Sequence, residues 1–289
     1  MKRIYHIGLS GGKDSTALLL FMAYESGISH DQLIATFCDT QNEADETYEH
    51  LTMLHEKVFP VTHINTEGFL NLAKRKQRFP SAKARFCTQE LKLKPTKLFL
   101  ESLTDKYDEV IPCSGVRKDE SEARKHLTEW KSEVESYFGM KEWRPLVDWK
   151  FADILAIHKR HNIPLNPLYH LGAKRVGCFP CFHSQKAEIL LMVKLHPERI
   201  TELAEWEKSV AKESGFFARG KVPERFRSRE IKTKDGTTMK VPTVFDVVEW
   251  AKTGSRTNGL APDIEGGLFD LEPDPENGFE NACTAGVCE

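Results

Sequence analysis

Long hydrophobic runs are missing from this 289-residue chain: no stretch approaches the roughly 20 apolar residues of a bilayer-spanning helix, and mean hydropathy is −0.46. No membrane partner is expected. The opening Met1-Lys2-Arg3-Ile4 leads directly into a strand-like segment with no signal-peptide core, so the expected location is cytoplasmic. Internal repeats are absent as well. Residues 263–289 contain no basic side chain but eight acidic ones, so the net charge of −2 hides a mildly basic body. Such a body permits a nucleic-acid partner without demanding one. Seven cysteines in an α/β chain of this kind do not suggest a disulfide framework; they suggest metal or redox chemistry for some of them.

What is present centres on Leu9-Ser10-Gly11-Gly12-Lys13-Asp14-Ser15-Thr16, between a strand-like run with Ile4, Ile7 and Leu9 and an apolar helical run at 17–22. Strand, glycine turn and helix start make an anion site. The glycines let the backbone come close, and the first helical N–H groups point at the anion with the helix dipole behind them. Lys13 adds charge, and Ser10, Ser15 and Thr16 add hydroxyl donors. This is not the Walker pattern, which has four residues between its first glycine and its Gly-Lys-Ser/Thr end. The plain alternative is an ordinary Gly-Gly turn.

Further strands are expected at 33–37, 61–64, 109–113 and 143–146, with helices at about 44–58 and 95–106 and one after Asp148, its expected cap. This alternation predicts an α/β fold: a parallel sheet of about five strands with helices on both faces. Ligands then sit beyond the carboxyl ends of the strands, where 10–16 and Asp39-Thr40 fall. The expected division is a nucleotide-binding domain at 1–174, a smaller, mostly helical region with one β-hairpin about Asp235-Gly236 at 175–262, and an acidic tail at 263–289. Between 71 and 97, nine basic residues accompany one acid, Glu90; they form either a solvated face or a surface for a phosphate-rich substrate.

The loop at 10–16 resembles the PP-loop of the ATP pyrophosphatase superfamily, whose members cleave ATP between the α and β phosphates. Asp39-Thr40 with Glu46-Thr47-Tyr48 resembles a segment of the phosphoadenosine phosphosulfate (PAPS) reductase family. So do Ser114-Gly115-Val116-Arg117 with Ser121 and Arg124, and Arg144-Pro145-Leu146 with Asp148-Trp149. The series ends with Ile163-Pro164-Leu165-Asn166-Pro167-Leu168-Tyr169 and Gly177-Cys178-Phe179-Pro180-Cys181, so the resemblance covers about 4–183 in the family's order.

The resemblance implies an adenine nucleotide alpha hydrolase-like fold that holds ATP, or adenosine phosphosulfate (APS) or PAPS, through Ser10, Gly11, Gly12, Lys13, Asp14, Ser15 and Thr16. Asp39 and Thr40 would contact adenosine, Gly115, Arg117 and Arg124 the phosphate or sulfate, and Mg²⁺ the pyrophosphate. Lys13, Asp14, Ser15 and Arg117 form the implied catalytic set; a salt-bridged surface loop is the plain alternative for the arginines.

In the family's iron–sulfur branch a Cys-Cys pair precedes Cys-x-x-Cys, and the four thiolates hold a 4Fe-4S cluster. Here Cys87 lies 91 residues before Cys178, in keeping with that spacing, but position 86 is Phe. Cys87, Cys178 and Cys181 are thus candidate ligands, with Cys288 or Cys283, or an exogenous sulfide, as the fourth. Zn²⁺, with His183 available, and a free dithiol are the other readings of Cys-x-x-Cys. Cys38 and Cys113 are expected to be small buried residues.

Two enzymatic readings share this pocket. In the first, ATP adenylates an acceptor, with nucleic acid favoured, and sulfur from a cysteine desulfurase is then transferred to it. Arg85-Phe86-Cys87-Thr88 with Leu91-Lys92 and Lys94-Pro95 is similar to DNA phosphorothioation enzymes, and the chemistry also resembles that of tRNA thiolases. In the second, APS or PAPS is reduced to sulfite with a thioredoxin-type donor and a mobile C-terminal cysteine. The intact loop, and an ending at Ala282-Cys283-Thr284-Ala285-Gly286-Val287-Cys288-Glu289 in place of the reductases' Glu-Cys-Gly-x-His, favour the first. A zinc-held nucleotide-sensing module is the non-enzymatic reading, and an oligomer is compatible with any of the three.

Overall fold

The computed structural model describes residues 1–210, 215–217, 220, 222–232 and 236–253; Cys283, Cys288, Asp235 and the tail at 263–289 lie outside them. In chain order the elements are β1 (Arg3–Leu9), α1 (Lys13–Leu20), β2 (Leu33–Asp39), α2 (Asp45–Lys57), β3 (Val61–Asn65) and α3 (Phe69–Lys76). A helical stretch follows, from α4 (Phe86–Thr88) through a wider turn at Gln89–Leu93 into α5 (Lys94–Glu101). After it come β4 (Glu109–Cys113), β5 (Trp130–Lys131), β6 (Glu142–Trp143), α6 (Phe151–Arg160) and α7 (Pro167–His170). The C-terminal elements are α8 (Lys186–Leu195), α9 (Glu198–Val210), the hairpin β7 (Arg229–Lys232) and β8 (Thr238–Val241), and α10 (Val244–Lys252). Among the described residues no helix is long and apolar enough to cross a membrane.

The sheet runs in the order β3-β2-β1-β4-β6-β5, parallel except for the β5–β6 pair. Side chains alternate along β1 as the pleat requires. Ile7 and Leu9 enter a core with Leu18, Leu19, Leu51, Leu54, Ile154 and Ile157 of α1, α2 and α6. Ile4 faces the opposite side, against Leu100 and Val110. Both faces are therefore covered, as the sequence predicts. After β1 the chain moves towards β2, and after β3 it crosses back to β4. The crevice between the ends of β1 and β4 is the topological switch point where such sheets bind ligands.

The expected sheet of about five strands is present and gains one, and one local expectation needs correction. The sheet has six strands, because the segment after Arg124 folds back as β5 and stacks Trp130 on Trp143 with ring centroids 5.6 Å apart. A two-residue strand carries no alternation to read. Asp148 does not cap α6: the helix starts later, and Asp148 Oδ1 instead accepts from Lys118 Nζ at 2.6 Å. Asp153 accepts the Lys150 N–H at 2.7 Å and Asp119 the Phe151 N–H at 3.0 Å, so these carboxylates serve the helix start.

A second core joins pieces far apart in the chain. Phe69, Leu72, Phe79 and Leu91 pack with Phe182, Met192, Leu203, Trp206, Phe216 and Val247, and Cys87 and Cys181 lie at its margin.

Candidate nucleotide and thiol site

Gly11 has φ +72, and a Cβ there would meet Thr47 Cγ2 at 2.8 Å, so the turn into α1 demands glycine twice over. The loop is closed on itself: Ser15 Oγ donates to the Gly12 carbonyl at 3.0 Å and lies 3.1 Å from Ser10 Oγ. It is also held from behind. Asn166, fully buried, donates through Nδ2 to the Gly11 carbonyl at 3.2 Å, while its Oδ1 caps α7 by accepting from Leu168 N. The Tyr169 hydroxyl accepts the Lys13 N–H at 3.2 Å, and His158 Nε2 lies 3.0 Å from the Lys13 carbonyl oxygen. Thr16 is the exception within the loop. It falls on the buried face of α1, with Oγ1 3.4 Å from His50 Nε2, which turns its hydroxyl away from the anion site.

Asp14 accepts from Lys13 Nζ at 2.7 Å and from Arg117 Nε at 2.8 Å. Burial pushes this carboxyl up, but the two neighbouring cations outweigh it and hold Asp14 below its usual range. The Lys13 ammonium, opposed by burial, is raised on balance by Asp14. Arg117 is only 3% exposed and is a tie between the β4 loop and the start of α1, not a surface arginine. Gly115 makes that tie possible, since a Cβ there would stand 2.8 Å from the Asp14 carbonyl oxygen. Arg124 is engaged by Glu120.

At the end of β2 the two predicted adenosine residues part company. Asp39 Oδ1 accepts from the Tyr48 hydroxyl at 2.7 Å and from Gln41 N at 2.8 Å at the carboxyl end of β2. Burial, then that hydrogen bond to Asp39, raises the Tyr48 phenol. Thr40 is 1% exposed; its Oγ1 donates to Glu43 Oε1 at 2.7 Å and lies 3.7 Å from Cys178 Sγ. Glu43 Oε1 is itself 3.7 Å from that sulfur.

Cys87 at the start of α4 and Cys178 and Cys181 from their loop gather about Lys92. The Lys92 ammonium is raised chiefly by Cys178, against burial, with Glu43, Cys181 and Cys87 adding to the effect. Burial first, then Glu43, pushes the Cys178 thiol up to about 12, and burial with Cys181 nearby raises Cys87. The donors brought together are three soft sulfurs, which suits a thiolate-ligated centre in kind. Among the described residues, however, no group of three or more His, Cys, Asp or Glu that could hold a metal ion is found, and Cys288 lies outside them. Cys113 is buried, and Cys38 packs its sulfur 3.2 Å from Thr96 Oγ1.

Sequence reasoning missed Lys92, Glu43, His158 and the supporting roles of Asn166 and Tyr169. Lys92 sat within a run of other cations, and Glu43 had no partner nearer in sequence than Thr40.

A parallel sheet with this glycine loop at its switch point defines a PP-loop nucleotide-utilising enzyme fold. Residues 5–184 match the family model described as the phosphoadenosine phosphosulfate reductase domain, and the chain belongs to that family. It is 32% identical over 341 aligned positions to an uncharacterised 37.8 kDa protein of Escherichia phage 186, covering 98% of this chain and 96% of that one. It is 27% identical over 149 residues to the adenosine 5'-phosphosulfate reductase of Bacillus cereus, covering 50% of this chain and 60% of the reductase's length. A phosphoadenylyl-sulfate reductase from Candida auris, solved as a phosphate complex, superposes with a TM-score of 0.46 at 19% identity, over 61% of this chain and 81% of that one.

Proposed function

We propose that the protein is an ATP pyrophosphatase-type enzyme that adenylates a nucleic-acid acceptor and couples this to sulfur transfer at the thiols around Lys92. One observation carries the reading: the end of β2 links the two halves, since Asp39 closes the strand paired with β1 and its glycine loop, while Thr40, the next residue, and Glu43 lie against Cys178. An acceptor oxygen attacks the α-phosphorus of ATP, a P–O bond forms, and the bond to pyrophosphate breaks. The loop N–H groups and Lys13 take the leaving charge, which is where preorganised donors act on a transition state. Lys13 is held for this between the rings of Phe151 and Tyr169, at 5.8 and 5.9 Å. Mg²⁺, when bound, neutralises the pyrophosphate.

The outer sulfur of a persulfide delivered by a cysteine desulfurase then attacks the adenylated acceptor and expels AMP. A protein thiol cleaves the resulting acceptor–S–S link to free the thiolated acceptor, and the disulfide so formed is re-reduced by a thioredoxin-type donor. Cys87, Cys178 and Cys181, with Cys288, are the residues that would hold a 4Fe-4S cluster (or Zn²⁺) as the sulfur-handling centre. A polyanionic acceptor is supported by the approach to Cys87. Arg78, 5.5 Å from the Phe86 ring, and Lys83, four residues before Cys87, are exposed with no ion pair among the described residues, whereas Arg75 and Lys76 are neutralised by Glu67 and Glu90. A cytoplasmic location accompanies this reading.

The Bacillus cereus relative favours a second reading, reduction of APS or PAPS with a thioredoxin-type donor. Anaerobic incubation with ATP plus nucleic acid, and separately with APS or PAPS plus reductant, decides between them. Pyrophosphate and AMP from the first mixture support adenylation; sulfite from the second, with no pyrophosphate from the first, overturns it.

A further inference from the structure

We propose that Asn42 and Arg199 form a clamp that sets the shape of the Cys178-Phe179-Pro180-Cys181 loop and thereby the presentation of both its thiols. The loop lacks internal support for its two central residues. Phe179 N donates to the Asn42 main-chain carbonyl at 2.7 Å, and Asn42 Nδ2 donates to the Pro180 carbonyl at 3.1 Å. Arg199 Nε donates to the Phe179 carbonyl at 3.3 Å, and its Nη2 donates to Asn42 Oδ1, so the two clamp residues also hold each other. Proline has no N–H, so every main-chain polar group of Phe179 and Pro180 is satisfied from outside the loop.

Both clamp residues reach inward, although Arg199 Nη1 also pairs with Glu202 on its own helix. Asn42 is 1% exposed, one residue from Glu43 and two from Thr40, the pair that touches Cys178. Arg199 comes from α9, with its guanidinium 5.0 Å from the Trp206 ring of the second core. The thiol loop is thus fixed between the end of β2 and the helical region. A planar guanidinium reaches the Phe179 carbonyl and the Asn42 amide oxygen together, which an ammonium cannot reproduce.

The clamp deepens the proposed sulfur chemistry and rests on those thiols being the working groups, yet it can be tested without turnover. The full chain, reduced and stripped of metal, is treated with iodoacetamide, and alkylation of Cys178, Cys181 and the buried Cys113 is timed by peptide mass spectrometry. Asn42→Ala and Arg199→Ala each raise the Cys178 and Cys181 rates about tenfold, the order expected for losing a hydrogen bond to a charged or buried group. Cys113 keeps its parent rate, and Arg199→Lys recovers only part of the protection. Unchanged rates at Cys178 and Cys181 in both alanine variants overturn the clamp. So does an equal rise at Cys113, which would mean general loosening. A chain that releases no pyrophosphate but shows the selective rise refutes the adenylation reading and leaves the clamp standing.

Discussion

The nucleotide end and the thiol end of this protein are built on opposite plans. The loop at 10–16 is written in consecutive residues and sits on a sheet whose core is drawn from neighbouring strands and helices. The thiol end is assembled from α3 and α4 and from helices more than 100 residues further on, about one shared core. Charge follows the same division. At the nucleotide end Lys13, Asp14 and Arg117 satisfy one another, and Arg124 is taken by Glu120. Next to Cys87, Arg78 and Lys83 have no ion-pair partner among the described residues. On the function proposed above, the first end would hold a small anion in one pose and the second would meet a long one in many.

The largest expected effect breaks the two ends apart. Lys13→Ala removes the cation beside the leaving group and lowers the rate of pyrophosphate release at least about a hundredfold, the usual scale for losing one preorganised charge-stabilising group. Alkylation rates at Cys178 and Cys181 stay at the parent values. Equal loss at both ends would mean that the two plans are one. Asp14 is a poorer probe, because its removal leaves the buried Arg117 guanidinium without its nearest carboxylate, at a cost of about 3 kcal/mol in stability.

A comparable loss of stability strikes the other end when its core is hollowed. Leu203 is fully buried in the second core, and Leu203→Ala costs about 3 kcal/mol in urea unfolding. Because Cys87 and Cys181 border that core, their alkylation accelerates while ATP affinity, followed by nucleotide fluorescence, stays unchanged. A variant that loses ATP binding and thiol protection together would show the two cores to be a single cooperative unit.

How much of each end could be read in the sequence reflects the same division. The glycine loop and the β-α-β rhythm rest on local pattern, and they are found where pattern puts them. Arg117 as a ligand of Asp14 was not legible, because nothing in a run of charges says which one will be buried. Thr40, the residue after β2, is buried while Asp39 is only half-buried, a difference within one step that the shared motif does not announce. Asn42 and Arg199 are 157 residues apart and share no motif, so only the folded chain could pair them.

A gentler test uses acid. Burial drives His50 down to about 4 from an ordinary value near 6.5, and His6 likewise; both belong to the sheet half. A base whose folded value is depressed favours the folded state fully above about pH 6.5 and loses that contribution as pH falls towards 4, since only the unfolded chain takes up the proton. Between pH 7 and pH 5 His50 alone therefore accounts for about 2 kcal/mol of lost stability. His50→Gln unfolds in urea with a smaller difference between those two pH values, and an unchanged difference would mean that burial does not depress His50 and that it takes up its proton alike in the folded and unfolded chain.

The smallest effect belongs to the unpaired cations. Lys83 is exposed and makes no ion pair among the described residues, so Lys83→Ala changes stability by no more than about 0.5 kcal/mol. If the approach to Cys87 carries a nucleic acid, the same substitution weakens binding and lowers the dependence of log affinity on log salt by about one unit, one phosphate contact's worth. Arg75→Ala is the matched control, because its charge is already spent on Glu67 and Glu90 and its loss leaves the salt slope nearly unchanged. Equal slopes for Lys83→Ala and the parent would remove the polyanion from the thiol end, leaving its cations as a solvated face.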